Sequence, residues 1–414
     1  MTEFEFRALV GLDWGDAWHQ VALWDEQTQK RTDERIEHTP AALRAWVETL
    51  HARFGRAPIA VAIEQSRGAV FDALSGDPLV TLYPINPRSA ARYREAFHPS
   101  LSKDDPTDAA SLLDLLRKHR EELRPFVPDD ARTRLLRLLT EDRRELVDQR
   151  TQHVQRTTDR LKSYYPQALR WAGALTTTQA CDFLQRWPTL EAIQRARPSA
   201  IRAFYQRHHH AAAWVDQRLA EIRAEVAFHD DEGVTHAAAL LIGSEVAQIR
   251  ALNASIATYD EKISSVFAAH QDASIFASFP GAGKQLAPRL AVAFGTDRNR
   301  FDNALNVATT SGIAPVLRRS GKTATVQMRW ACPQFMRQTF HEYARVSIGY
   351  SIWARAFYKQ QRGRGHSHHQ AIRTLAYRWI RILYACWNSC TAYDETRYLQ
   401  QLAKRGSPLA NLAT

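Results

Sequence analysis

The chain has 414 residues, with 55 Lys and Arg against 44 Asp and Glu, and a formal net charge of +11. Its 45% hydrophobic and 24% charged residues are those of a folded globular protein with room for about two to three domains, not of a disordered chain. Four cysteines without a CxxC pair (Cys181, Cys332, Cys386, Cys390) exclude a disulfide scaffold. The opening MTEFEFRALVGLDWGD lacks the basic and apolar regions of a signal peptide, and no long apolar run offers a membrane span. A cytoplasmic, multidomain protein is expected, with a polyanion as partner: nucleic acid, or less often an acidic membrane surface.

Residues 6–13 and 18–24 read as short strands around a Gly15–Asp16 turn, and the more polar run near 31–38 as an edge strand. Thr39 as cap, Pro40 in the first turn and Gly55 beyond the last frame a helix whose Leu43, Val47 and Leu50 recur at helical spacing. Buried strands are expected at 58–63 and 79–85. The order β-β-β-α-β-α-β-α is that of a ribonuclease H-like mixed sheet, with the first three strands as a meander.

From about 128 to 270 the pattern changes to long helices. Val147, Val154 and Leu161 recur every seven residues. Ile242, Ile249, Leu252, Ile256, Tyr259, Ile263 and Val266 fill a heptad frame whose one missing position is Glu245, which predicts a coiled-coil or helical-hairpin arm. Pro166, Pro188 and Pro198 break the stretch between the two arms into short helices. From about 272 the chain runs through FASFPGAGKQLAPRLAVAFG and a loop-rich basic stretch, then through helices to about 403. The fold class is therefore α/β plus all-α: a mixed-sheet domain over 1–127, a helical arm over 128–271 and a mostly helical domain over 272–414.

Four acids stand at pointed places. Asp13 ends the first strand, Glu64 ends the PIAVAI strand, and Asp105 and Asp108 lie three apart where a helix opens, on one helical face. Strand ends and a helix can converge such carboxylates on Mg²⁺, a hard ion that takes oxygen ligands. Two such ions can clamp the attacking and leaving oxygens of a phosphodiester. Singly, Asp108 can instead serve the helix dipole and Asp13 a turn. Asp16, Asp25 and Asp104 read as loop or surface residues.

In GIAPVLRRSGKTATVQMR, Ser320 precedes Gly321 and is flanked by Arg318, Arg319, Lys322 and Arg329. A hydroxyl there can approach a phosphate closely while the cations stabilise developing charge. The same residues also suit a basic loop gripping a phosphate backbone, with Ser320 as one more hydrogen-bond donor. PGAGK at 280–284 is not a Walker loop, because Ser278 stands where the first Gly is needed and Gln285 replaces Ser or Thr. It reads as a turn into a helix N-terminus that offers N–H groups, and Lys284, to a phosphate, or as a plain helix connection. The cluster at 359–385 places Arg362, Arg364, His366, His368 and His369 before a helix, and these histidines, like His208 to His210, read as solvated or phosphate-facing rather than zinc ligands. Cys386 and Cys390 read as small core residues on one helix face.

With these residues in view, nearly the whole chain resembles the DEDD-type transposases and recombinases of insertion-sequence family 110, relatives of the pilin-gene inversion recombinases. GLDWGDAWHQVALWD resembles the first-strand motif and places Asp13; VAIEQSRGA resembles the glutamate motif and places Glu64. INPRSAARYREAFHPSLSKDDPTDAASL resembles the family's Asn-Pro, basic helix and Lys-Thr-Asp-x-x-Asp-Ala, read here as Lys103, Asp104, Asp105, Pro106, Thr107, Asp108 and Ala109, with Asp104 in place of Thr. FPGAGKQLAPRLAVAFGTDRNRFDNALNVATTSGIAPVLRRSGK resembles the transposase domain and puts the nucleophilic serine on Ser320, with Ser311 the weaker candidate.

The resemblance implies a RuvC-like domain binding Mg²⁺ through Asp13, Glu64, Asp105 and Asp108. Ser320 would attack a DNA phosphodiester and form a phosphoserine link. Arg88, Arg92, Lys103, Lys284, Arg318, Arg319, Lys322, Arg329, Arg362 and Arg364 would contact nucleic acid. It further implies a homo-oligomer (dimer or tetramer) whose arms dimerise, donor and target DNA as partners, and a guide (bridge) RNA whose pairing carries sequence choice. Two other readings stand beside it: a Mg²⁺-dependent nuclease or junction resolvase that uses water, and a non-catalytic nucleic-acid-binding protein on a degenerate nuclease fold.

Overall fold

The computed structural model describes residues 6–64, 67–97, 105–320, 323–329, 332–407 and 409, and the chain divides into two units between Pro128 and Asp129. In the first unit, β1 (Ala8–Asp13), β2 (Trp18–Asp25), β3 (Lys30–Glu37), β4 (Ile59–Ile63) and β5 (Val80–Pro84) form one sheet in the order β3-β2-β1-β4-β5. β1 pairs antiparallel with β2 and parallel with β4, and β4 pairs parallel with β5. This is the expected mixed sheet. The central strands are apolar along their length because both faces are covered.

On one face, Val10, Leu12, Val61 and Ile63 pack with Leu43, Trp46 and Leu50 of α1 (Pro40–Arg53) and Phe71 and Leu74 of α2 (Ala69–Ser75). Thr39 caps α1 by accepting the Ala42 N–H, as its sequence predicts. On the other face lie α3 (Pro87–Phe97) and α4 (Asp105–His119). Small residues, Gly11, Ala22, Ala60 and Ala62, line the sheet there and let α4 come close. A Cβ on Gly11 would sit 2.1 Å from the Ala109 carbonyl oxygen and 2.4 Å from the Leu113 nitrogen.

β3 is the polar edge strand expected, exposed except at Ile36. Along the opposite edge, the Phe126 N–H donates to the Leu82 carbonyl of β5 at 2.7 Å. Asp25 is not the surface residue expected. It is buried at the end of β2 and accepts the N–H groups of Gln27 and Thr28, which hold its carboxyl below the usual range against the opposing effect of burial.

The second unit is built on two long helices, α5 (Ala131–Tyr164) and α11 (Glu232–Ala268), between which run α6 (Ala168–Trp171), α7 (Thr178–Arg186), α8 (Leu190–Arg195), α9 (Pro198–Arg207) and α10 (Ala212–Ala224). The long helices are antiparallel: Arg143 Nε donates to Asp260 Oδ1 at 2.6 Å and Arg150 Nη1 to Asn253 Oδ1 at 2.9 Å. The heptad residues Ile242, Ile249, Ile256 and Ile263 are buried, Ile242 and Ile249 in a core shared with the short helices and Leu161 of α5. The two long helices pair as the expected hairpin, with Leu252, Tyr259 and Val266 of the heptad frame left partly exposed. Glu245, the missing heptad residue, is buried against His153 of α5 at 2.6 Å rather than left facing solvent.

At the other end of the arm, Leu136 of α5 and Ile263 of α11 share a small core with Val292. The rest of the unit is α12 (Ala273–Ala277), α13 (Gly283–Phe294), α14 (Ala304–Thr310), a ribbon of β6 (Val316–Ser320) and β7 (Thr323–Gln327), then α15 (Gln334–Tyr350), α16 (Ile352–Gly363), α17 (His368–Asn388) and α18 (Glu395–Lys404). Trp353, Trp379 and Trp387 are fully buried at its centre. Cys386 is half-buried near the end of α17, but Cys390 lies past the helix, exposed, with φ +52°; the left-handed turn carries it off the helix face.

Candidate active site and cation-rich surface

The geometry of the first unit brings three of the four acids to one end of the sheet. β1 and β4 are neighbours with Leu12 opposite Ile63, so the next residue of each, Asp13 and Glu64, leaves the same end of adjacent parallel strands. α4 lies across Gly11 of β1 and carries Asp108, buried at 8% exposure, in its first turn. Glu64 and Asp108 line one pocket with Ala90, Arg94, Ser111 and Leu112. Asp105 is the first residue of α4; its side chain, and the whole of Lys103 and Asp104, lie outside the described residues.

Asp108 is paired with a residue that sequence reasoning missed: Arg94 of α3 donates to its Oδ1. The only signal in the sequence was the basic character of the stretch INPRSAARYREAF. Among the described residues, no three His, Cys, Asp or Glu side chains converge as a ready-made metal cluster, either here or at the expected histidine runs. The donor chemistry nevertheless suits a hard divalent cation. Asp13, Glu64 and Asp108 offer only carboxylate oxygens, and the guanidinium on Asp108 shows that this carboxylate draws positive charge. Arg88 and Arg92 are exposed on α3, the helix that carries Arg94.

In the second unit, the basic stretch expected as a loop is a two-stranded antiparallel ribbon, with Val316 opposite Gln327 and Ser320 opposite Thr323. The cations hid an alternation in which Leu317 and Val326 pair across the strands. Ser320 is the last residue of β6; its side chain and that of Arg318 are outside the described residues, as is Lys322 altogether. Arg319 is exposed and Arg329 half-buried. Ser311, the weaker candidate, is fully buried with its hydroxyl donating to the Ala308 carbonyl at 3.2 Å.

PGAGK is the turn expected between α12 and α13, with φ +76° at Gly281 and +53° at Gly283 and Lys284 exposed in the first turn of α13. Arg362 and Arg364 are exposed at the end of α16. One further feature escaped motif reading. Residues 303–393 hold thirteen Lys and Arg and a single acid, Glu342. That excess of twelve exceeds the chain's whole net charge of +11, so the remainder of the protein is close to neutral. Glu342 is itself consumed, accepting from Arg144 of α5 and Arg289 of α13, and these cations hold its carboxyl below the usual range against the effect of burial.

Strand order, parallel and antiparallel pairing and acids at the central strand ends define a RuvC-like domain of the DEDD type. The chain belongs to the insertion-sequence 110 family of transposases: residues 10–166 match the DEDD IS110 transposase domain, and residues 273–359 match the transposase family IS116/IS110/IS902. It is 29% identical over 411 residues to the mini-circle candidate transposase for IS117 of Streptomyces coelicolor, covering 96% of this chain and 98% of that protein. It is 27% identical to a 42 kDa protein of insertion element IS900 of Mycobacterium paratuberculosis (93% and 96% covered) and 26% identical to a 43.6 kDa protein of IS110 of Streptomyces coelicolor (93% and 95%). No described helix is long and apolar enough to cross a membrane.

Proposed function

We propose that this transposase cuts and exchanges DNA strands with Ser320 as nucleophile and Asp13, Glu64, Asp105 and Asp108 as the ligands of Mg²⁺. The carrying observation is the placement of Asp13 and Glu64 at adjacent strand ends, with Asp108 sharing the Glu64 pocket. When bound, the metal supplies Lewis-acid stabilisation of the phosphodiester oxygens. The Ser320 oxygen forms a bond to phosphorus as the bond to the 3′-oxygen breaks, and the serine proton ends on that 3′-hydroxyl. A 3′-hydroxyl of the partner strand then attacks the phosphoserine, restores a phosphodiester and returns the serine hydroxyl. Arg318, Arg319, Lys322 and Arg329 hold the phosphate beside Ser320, while Lys284, Arg88, Arg92, Lys103, Arg362 and Arg364 track the backbone.

The protein acts in the bacterial cytoplasm as a homo-oligomer on donor and target DNA, with a bridge RNA encoded beside its gene carrying sequence choice.

The test supplies the protein with DNA bearing the element's termini and traps covalent protein–DNA adducts. The wild type forms adducts, Ser320→Ala forms none, and Asp13→Asn loses about a thousandfold or more in cleavage rate. Free 5′-phosphate ends with no attached protein, undiminished in Ser320→Ala, establish the water-using nuclease instead. Sequencing nucleic acid that copurifies with the protein tests the guide: a discrete RNA from flanking non-coding DNA is expected, and its absence removes the guide from the mechanism.

A further inference from the structure

Two helices of the second unit, α15 and α17, bring a set of imidazoles together, and α16 adds a tyrosine hydroxyl. His341 of α15 stacks on His369 of α17 with ring centroids 6.0 Å apart and planes 28° apart. His368 meets His369 at 5.4 Å, and the Tyr358 hydroxyl of α16 lies 2.8 Å from His368 Nδ1. Arg373, one turn further along α17, reaches back to the Met328 sulfur and so ties this corner to the ribbon. Arg362 is exposed at the end of α16, and Arg364 and His366 are exposed on the connection to α17.

The charges facing His341 can be named element by element. From α17 come His368, His369 and Arg373; from its own helix comes Glu342. Burial and the α17 groups push the His341 imidazole below its ordinary value, and Glu342 acts weakly the other way. Glu342 is the only acid between residues 303 and 393, and it is already held by Arg289 and Arg144. A protonated imidazole here meets further cations, so an anion from outside is what would stabilise it.

We infer that this corner is a binding site for nucleic-acid phosphodiesters, in which the clustered histidines take up a proton as the backbone docks. The inference rests on the nucleic-acid reading of the protein but not on Ser320 or the carboxylates. Its sign is fixed by linkage. A phosphate raises the imidazole value in the complex above that in the free protein. Added affinity is therefore greatest at low pH and is lost as pH rises through the raised value.

The experiment measures dissociation constants of the full chain for short DNA and RNA duplexes of one sequence, at fixed ionic strength, between about pH 8 and about pH 6. Proton uptake is read by calorimetry in buffers of different ionisation enthalpy. Wild-type affinity should rise roughly tenfold over that range with net proton uptake. His369→Gln, at an exposed position, should flatten the rise while keeping affinity near pH 8 within about twofold; His341→Gln should do the same. The duplex with the steeper rise names the source of the phosphates. An unchanged pH slope in both variants, or a flat wild-type profile, overturns the inference. Binding with the expected slope but no Ser320-dependent adduct overturns the proposed chemistry and leaves this site standing. No binding to either duplex sinks both.

Discussion

The sheet unit and residues 303–393 handle charge in opposite ways. In the first, Asp13 and Glu64 stand at adjacent strand ends and, among the described residues, Asp108 of α4 is paired with Arg94. In the second, thirteen cations are counted against one acid, and that acid is taken by Arg144 and Arg289 from outside the stretch, so the stretch keeps its positive excess. The first arrangement concentrates negative charge at a point, as a metal site requires. The second spreads positive charge over several helices and a ribbon, as a long polyanion requires. On the proposed reading, a metal site and a polyanion surface differ in how charge is balanced.

The comparison breaks most visibly at Gly11. Gly11→Val places side-chain atoms where the α4 backbone now lies, so α4 must lift from β1. A loss of about 3 kcal/mol or more is expected, with cleavage abolished, because Asp105 and Asp108 ride on that helix. Chemical denaturation should show the first unit melting early while the second keeps its transition. A normal first transition would mean that α4 does not depend on the glycine.

Removing the lone acid sharpens the other half. Glu342→Ala leaves Arg289, only 10% exposed at its side chain, without its carboxylate. About 2–4 kcal/mol should be lost, read as a lower denaturation midpoint. Since the Glu342 carboxyl is held low in the fold, its stabilisation is present above the ordinary glutamate range and disappears as pH falls through the lowered value. Glu342→Gln should therefore weaken the acid-induced loss of stability; an unchanged acid profile would show that other carboxylates govern it.

The smallest effect is expected at the arm base. His270 is buried, its Nδ1 accepts the Asp272 N–H at 3.1 Å, and its Nε2 lies 3.0 Å from the Thr133 hydroxyl. Burial pushes its imidazole below the ordinary value, so the fold favours the neutral ring. Its stabilisation is present above the unfolded value near 6.5 and falls away as pH drops through the lowered folded value. Unfolding followed from neutral to mildly acid pH should show a decline of about 1 kcal/mol that His270→Gln reduces. A decline equal in the variant would place the titration elsewhere.

The sheet was legible because its information is local: apolar runs at 58–63 and 79–85, a polar third strand and a capped helix each announce themselves. Asp13 and Glu64 were legible as strand-end residues for the same reason. What escaped was pairing over distance. Arg94 meets Asp108 only because α3 and α4 pack together, and Glu342 meets Arg144 across 198 residues of chain. Glu245 was read as a gap in the heptad because a buried charge is costly, and the cost is offset by His153 from the opposite helix. The ribbon was taken for a loop because arginines occupied strand positions that a core strand would fill with apolar residues.

The outer strand of the sheet has one more consequence. β3 reads Lys-Arg-Thr-Asp-Glu-Arg-Ile-Glu, with alternating clusters of opposite sign and nearly every side chain in solvent. A neighbouring strand laid against it would have to match that sequence of charges and bury them, which discourages strand addition and amyloid-like stacking. The other margin is already occupied at Leu82 by the Phe126 amide. The charged margin of β3 thus disfavours further strand pairing on that side of the five-stranded sheet.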